Sequence, residues 1–175
     1  LMGAQAAALV SMVCNLTIGK PKYAEAEALM HSILESAEAL RDKFTVMMAQ
    51  DVAVFNQVMS AYGLPKESDA EKTVRSAEIQ VALKSATEVP LACAIACAEV
   101  IALSKRVAEH GNLNVISDAG VAAMAGYGAL KSAALNVYVN TGSLKDRGFA
   151  EACLAELETV LNTSGELAEA VYQLV

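Results

Sequence analysis

Hydrophobic residues recur at intervals of three and four along most of the chain, a spacing that predicts amphipathic helices. Period-two alternation is never sustained, so we predict no strands. Glycine, proline and capping residues divide the pattern into five helical segments, at about residues 3–17, 22–62, 68–110, 117–140 and 145–175. The predicted fold class is all-α: one antiparallel bundle of about five long helices, in a single domain that spans residues 1–175.

The third segment carries the clearest local signals. Ser68 and Glu71 have the spacing of a capping box, which predicts the first turn of a helix. Pro90 lies inside the segment and should kink or split the helix, because proline has no N–H to donate. Gly111 follows the segment and is predicted to be a left-handed cap. In the last segment, the stretch from Asn162 to Gly165 is a point where the helix can be interrupted.

The second segment places a carboxylate, Asp51, on an apolar seam. One reading is structural: Asp51 is held by a Lys, Arg or Tyr, or reaches solvent at a bend. The other is functional: Asp51 is a general acid or base whose pKa a pocket has moved toward neutrality. The seam consists of two tracks of residues spaced seven apart, Met30, Ala37, Phe44, Asp51 and Val58, and Ala26, Ile33, Leu40, Met47, Val54 and Ala61.

The fourth segment has a face that is small in the middle and polar at both ends. Small residues let another backbone or a flat ligand approach closely, and the two asparagines offer amide donors and acceptors. This face is either an inter-helix hydrogen-bond network with Ser117 or Asp118 as the cap, or the wall of a pocket. It comprises Asp118, Ala122, Ala125, Ala129, Ser132, Asn136 and Asn140.

The stretch NLTIGKPKY, residues 15–23, joins the first two segments. Asn15, Thr17, Lys20 and Lys22 bring amide, hydroxyl and ammonium groups to one turn. The turn is either a solvated connection or a clamp for a polar or anionic part of a ligand. The chain has two histidines and lacks the paired Glu-x-x-His motifs of di-iron bundles, so we predict no metal site.

Composition narrows the class of partner. The chain is 55% hydrophobic with a mean hydropathy of +0.38, which excludes a disordered chain and favours self-association. The net charge is −7 with a pI near 4.8, which excludes nucleic acid because phosphate binding needs a basic face.

Cysteines and apolar runs bear on the compartment. Four cysteines, at positions 14, 93, 97 and 153, are predicted to be small core residues in a reducing compartment. The longest apolar run, VPLACAIACAEVIAL, is shorter than the ~20 residues of a membrane span, so we expect no membrane association. The chain begins in the middle of a helical pattern, and we expect the natural N-terminus to lie upstream.

Five motifs, in order, resemble the cyclodeaminase/cyclohydrolase family of folate one-carbon enzymes: SMVCNLTIGKPKY, QDVAVFNQVMSAYGLPK, EVPLACA, GNLNVISDAGVAA and LNVYVN. Together they span nearly the whole chain. The chain departs from the family at its start, because a glycine-rich PGGGS-like stretch that usually precedes the first helix is absent.

The resemblance implies a cytoplasmic all-α homodimer that acts on reduced folates, including polyglutamylated ones, without a metal or other cofactor. Both family reactions pass through a tetrahedral carbon between two folate nitrogens, and each needs a base and an acid. The first hypothesis is a methenyltetrahydrofolate cyclohydrolase, because the chain shows no formiminotransferase domain. The alternatives are a formiminotetrahydrofolate cyclodeaminase and a non-catalytic helical protein that binds folate or another partner. The implied catalytic residues are Asp51 and Asp118, and the implied substrate-binding residues are Asn15, Thr17, Lys20, Asn112, Asn136 and Asn140.

Overall fold

The computed structural model describes residues 1–175 and confirms the all-α prediction, with five α-helices and no strand. Two short 3₁₀ turns, Pro21–Ala26 and Leu113–Val115, lie in the connections. The helices are α1 (Met2–Asn15), α2 (Glu27–Tyr62), α3 (Asp69–His110), α4 (Ile116–Gly142) and α5 (Arg147–Leu174).

The bundle is built around α3, which packs against each of the other four helices, and its most extensive contact is with α4. Short connections make successive helices antiparallel neighbours. The main core contains 32 buried residues, most of them Ala, Val, Leu and Ile. Small side chains at the contacts allow the helix backbones to lie close together, as the alanine-rich composition predicts.

The capping box at the start of α3 is confirmed. The Glu71 backbone N–H donates to the Ser68 hydroxyl at 3.3 Å, and the Ser68 N–H donates to the Glu71 carboxylate at 2.8 Å. The pKa of Glu71 is lowered because its carboxylate accepts hydrogen bonds from the backbone N–H groups of Ser68 and Glu67.

Two predicted boundaries were wrong. The second helix begins at Glu27 rather than near residue 22, because Pro21 opens a 3₁₀ turn in which Tyr23 departs from helical dihedrals. The fifth helix runs through residues 162–165 without a break. The packing of Tyr127 against α5 favours glycine at position 165, because a Cβ at this position would lie 2.9 Å from the Tyr127 hydroxyl oxygen.

Gly111 ends α3 but is not a left-handed cap, so that prediction was also wrong. Its φ is −83° and its ψ is −176°, an extended conformation that any residue adopts. The reason for glycine is steric, because a Cβ would lie 2.5 Å from the Val107 carbonyl oxygen and 3.0 Å from Val13. The chain thus turns tightly against both α3 and α1 before α4 begins.

Helix α3 is long and apolar enough to cross a membrane by length and composition, with a mean hydropathy of 1.8 over 18 residues. Half of that window is buried inside the bundle. One such helix is weak support for a membrane span, because the central helix of a bundle needs the same composition.

Candidate active site

A groove runs along the middle of the bundle between α2, α3 and α4. It consists of two adjoining hollows of about 450 and 340 Å³, and both are lined by Asp51 and Asn136. We call this the Asp51 groove. Its walls are mainly apolar, including Phe44, Met47 and Pro90, with few polar groups. A largely apolar cleft of this volume with a few polar side chains is typical of a small-molecule site.

Asp51 is exposed rather than buried in the seam, and no Lys, Arg or Tyr of the chain holds it. The seam residues of α2 are buried from Met30 to Met47, and the seam is accessible to solvent at Asp51. The first residues of α1 lie level with Phe44 and Met48, as the Gly3–Phe44 contact shows. The side chain of Asp51 forms neither an ion pair nor a hydrogen bond within the chain. Its carboxylate therefore faces the groove with its acceptors free.

The side chain of Asn140 donates a hydrogen bond to α3 at a backbone carbonyl that lacks its usual helical donor. The Asn140 side-chain amide donates to the Ala86 carbonyl oxygen at 2.6 Å. Pro90, four residues after Ala86, has no N–H to give that carbonyl its usual helical bond. Of the two outcomes predicted for Pro90, a kink or a split, the split does not occur, because α3 continues from Asp69 to His110. The Asn140 amide shows how the Ala86 carbonyl is satisfied.

Asn136 is the polar residue of α4 that faces the groove most openly. Its amide makes only a long contact of 3.4 Å to the Ser132 carbonyl, and its side chain is exposed. Asn136 and Asp51 line both hollows, so an amide and a carboxylate converge on one space. An amide beside a carboxylate offers the donor and acceptor pair that can orient a flat heterocycle. The predicted pocket wall thus forms at the C-terminal half of the small face of α4.

Thr17 and Asn112 form a buried joint between the end of α1 and the connection before α4. The Thr17 hydroxyl donates to the Val13 carbonyl at 2.7 Å and accepts the Asn112 N–H at 2.9 Å. The Asn112 amide donates to the Leu16 carbonyl at 2.8 Å, and its oxygen accepts the Asn114 N–H. The polar atoms of both side chains therefore have partners inside the protein, and we call this pair the Thr17–Asn112 joint.

The other predicted site residues lie near this joint, away from the groove. Asn15 is exposed at the last position of α1, and Lys20 is exposed on the turn that follows. Asp118 is half-buried in the first turn of α4, and Asn136 follows it 18 positions later in the same continuous helix. That separation is about 27 Å at the rise of an α-helix. In one chain, Asp51 and Asp118 do not line the same space.

Cys93 is a groove residue that sequence reasoning missed. Cys14, Cys97 and Cys153 are buried as predicted, whereas Cys93 is half-buried and lines the groove with Asp51. The adjacent Cys97 thiol lowers the pKa of Cys93 to about 7. Burial and the Asp51 carboxylate act in the opposite direction. The four-residue spacing of Cys93 and Cys97 was the available signal.

Comparison with known proteins gives consistent matches. A family profile described as formiminotransferase-cyclodeaminase matches residues 1–159. The chain is 59% identical over all 175 residues to the methenyltetrahydrofolate cyclohydrolase of Methylorubrum extorquens, and it covers 84% of that protein. It is also 31% identical, over 82% of its length, to the formimidoyltransferase-cyclodeaminase of Gallus gallus, of which it covers 26%.

A solved structure is similar along almost the whole chain. The crystal structure of formiminotetrahydrofolate cyclodeaminase from Thermotoga maritima has a TM-score of 0.89 and 31% sequence identity, covering 99% of this chain and 82% of that one. The helical arrangement that forms the Asp51 groove is thus shared with that protein.

Proposed function

The chain belongs to the formiminotransferase-cyclodeaminase family, and we propose that it is a methenyltetrahydrofolate cyclohydrolase, which hydrolyses 5,10-methenyltetrahydrofolate to 10-formyltetrahydrofolate. The observation that carries this proposal is the 59% identity to a cyclohydrolase over the full chain. The Asp51 groove supplies a site of suitable size and chemistry.

The proposed reaction begins when water adds to the cationic methenyl carbon. Asp51 takes one proton from this water, so that the adduct is a neutral carbinol. The carbinol then loses its hydroxyl proton as one carbon–nitrogen bond breaks, and the departing nitrogen gains a proton. One proton is released overall, and the carbon is left as a formyl group. A carboxylate also stabilises the cationic substrate before water attacks.

In this proposal Asn136 orients the folate ring beside Asp51, while Asn140 holds α3 through the Ala86 carbonyl. Asp51 is the only carboxylate that lines the groove in one chain. Asp51 can return its proton to the departing nitrogen, so one group can be both base and acid. Asp118 can act on the same carbon only when a second copy of the chain supplies it.

A cyclodeaminase is the second candidate, and the Thermotoga structure favours it. In that reaction a folate nitrogen adds to the formimino carbon and ammonia leaves, with the same need for proton transfer. Supplying the purified protein with each folate separates the two. We expect loss of the methenyl chromophore at a rate well above spontaneous hydrolysis, and no ammonia from formiminotetrahydrofolate. Ammonia release from formiminotetrahydrofolate alone would assign the cyclodeaminase activity instead.

We also propose that the protein is a homodimer. One face of α2 exposes Val52, Phe55, Met59 and Tyr62, each between 45% and 62% accessible. Such a stripe is costly to leave in water, and it borders the Asp51 groove through Val52 and Phe55. We expect Met59→Glu to convert a dimer to a monomer in analytical ultracentrifugation, whereas Val74→Glu, at an equally exposed site on α3, leaves the dimer intact. A wild-type protein that is monomeric at micromolar concentration would contradict this.

The remaining proposals concern the cellular compartment, the cofactor requirement and the binding of polyglutamylated folates. We propose a cytoplasmic enzyme that needs no metal or other cofactor, so dialysis against a chelator should leave turnover unchanged. Lys20, exposed on the turn after α1, is proposed to bind the carboxylates of a polyglutamate tail. Lys20→Gln should then raise KM for polyglutamylated folate more than for the monoglutamate. Equal changes for the two substrates would exclude Lys20 from tail binding.

A further inference from the structure

The Asp51 groove contains a nucleophile that the proposed hydrolysis does not use. Cys93 lies one helical turn after Pro90 on α3 and lines the larger hollow together with Asp51, Met47 and Met48. Its side chain is half-buried, whereas the other three cysteines are buried. Cys93 is therefore the cysteine that a small molecule in the groove can reach.

A second thiol lies beside it. Cys97 follows four residues later on the same helix, a spacing that places the two side chains next to each other. The neighbouring Cys97 thiol is the largest influence that lowers the pKa of Cys93. A thiolate is the reactive form of cysteine, and reactive cysteines are partly exposed, whereas buried structural cysteines are inert.

We propose that Cys93 is a modification site in the wall of the Asp51 groove: a small carbon electrophile such as an α,β-unsaturated carbonyl compound adds to its sulfur and occupies the space that a folate would fill. The identity of the displaced ligand rests on the proposed function, whereas the reactivity of Cys93 does not. The larger hollow measures about 450 Å³, toward the lower end of the ~300–1,000 Å³ typical of ligand pockets. An adduct on its wall therefore obstructs it.

The chemical step needs no further reactant. The electron pair of the Cys93 thiolate forms a sulfur–carbon bond with the β-carbon of the electrophile. The double-bond electrons move to the α-carbon, which takes a proton from water. The product is a thioether, nothing leaves, and no oxidant or reductant is consumed.

N-Ethylmaleimide at one equivalent and pH 7, followed by peptide mass spectrometry, tests the reactivity. We expect Cys93 to be labelled at least ~10-fold faster than the three buried cysteines, because burial hinders access and raises the pKa of Cys14 to about 11 and that of Cys153 above its ordinary value. Labelling of another cysteine before Cys93 would overturn the proposal. This arm requires neither folate binding nor turnover.

Folate binding and turnover test the obstruction. Calorimetry with 5-formyltetrahydrofolate should show a loss of binding after Cys93 is labelled, and the same folate at saturation should slow the labelling several-fold.

Turnover after treatment with N-ethylmaleimide is compared with that of the same variant without treatment. Cys93→Ser should become insensitive to the reagent, whereas Cys153→Ser should remain as sensitive as the wild type. Complete labelling of Cys93 with unchanged folate binding would refute the obstruction, whereas a protein that never binds folate but labels first at Cys93 would refute only the proposed function.

Discussion

The side-chain amide of Asn140 donates to the carbonyl oxygen of Ala86, the carbonyl that Pro90 cannot serve four residues later. One long helix is thereby allowed to carry a proline at the groove, because the neighbouring helix supplies the missing donor. Asn140, Ala86 and Pro90 therefore depend on one another: the amide of Asn140 compensates for the hydrogen bond that Pro90 cannot donate to Ala86.

The first prediction is that Asn140 and Pro90 are energetically coupled. Asn140→Ala should lower the free energy of unfolding by about 1–2 kcal/mol, because it leaves the Ala86 carbonyl without that donor. In a Pro90→Ala background the new backbone N–H at position 90 can bond Ala86, so the loss should shrink by about 0.5 kcal/mol or more. Urea unfolding of the four proteins of the cycle measures this. Losses that add within about 0.3 kcal/mol would contradict the coupling.

The second prediction treats Thr17 as part of the Thr17–Asn112 joint. Thr17→Val should cost about 1–3 kcal/mol of stability, because the buried Asn112 N–H loses its acceptor. Thr17→Ser keeps the hydroxyl and should cost less. Thr163→Val removes a hydroxyl that bonds the helix backbone at an exposed site and should cost no more than about 0.5 kcal/mol. A variant Thr17→Val with unchanged stability and a raised KM would show instead that Thr17 acts in substrate binding.

The third prediction concerns the two glycines at the ends of α3 and α4. Gly111→Ala should lower stability by about 1–3 kcal/mol, because the added methyl would meet the Val107 carbonyl at 2.5 Å. Gly142→Ala is the matched control, since a Cβ there has nothing within 4 Å. It should raise stability by about 0.4–1 kcal/mol through the unfolded chain. Thermal unfolding of the two variants in parallel distinguishes a steric constraint from a general preference for glycine at helix ends.

The sequence was enough to predict the fold because helix periodicity is local, and the Ser68–Glu71 capping box likewise depends on neighbours in sequence. It also brought Asp51 and Asn136 into one hypothesis, and the structure places both in one groove. The sequence left open whether Asp51 is buried or exposed, because the spacing of apolar residues on one helix does not show which part of that face the neighbouring helices cover. Cys93 was missed for a related reason: a small residue among alanines has the pattern of a core position until the adjoining cavity is known.

The fourth prediction is a dependence of stability on pH at the start of α5. Asp146 accepts hydrogen bonds from the Lys84 ammonium group at 2.6 Å and from the Phe149 N–H at 3.1 Å, and both hold its pKa below the ordinary value. A carboxyl whose pKa is lower in the folded state contributes stability above its unfolded pKa of about 3.9 and loses it as pH falls through the folded value.

Asp146→Ala should therefore melt at a lower temperature than the wild type at pH 7, and the difference should narrow toward pH 2 to 3. Asp146→Asn keeps a capping acceptor for the Phe149 N–H but has no charge. The difference in melting temperature between Asp146→Asn and Asp146→Ala should therefore not change with pH. Calorimetric scans across this range check both statements. If the difference in melting temperature between the wild type and Asp146→Asn stays constant down to pH 2, the Lys84–Asp146 ion pair does not contribute to stability.

The fifth prediction concerns the carboxylate of the groove. Asp51→Asn should reduce turnover of methenyltetrahydrofolate by roughly 10²-fold or more, because an amide cannot take a proton from the attacking water. Stability should be unchanged, since Asp51 is exposed and bonds nothing within the chain. Asp42→Asn, at an exposed aspartate of the same helix, should alter neither quantity. Should Asp51→Asn fold and turn over normally, water is activated without this residue, and the groove must use an acceptor from elsewhere, of which Asp118 from a second copy is the first to test.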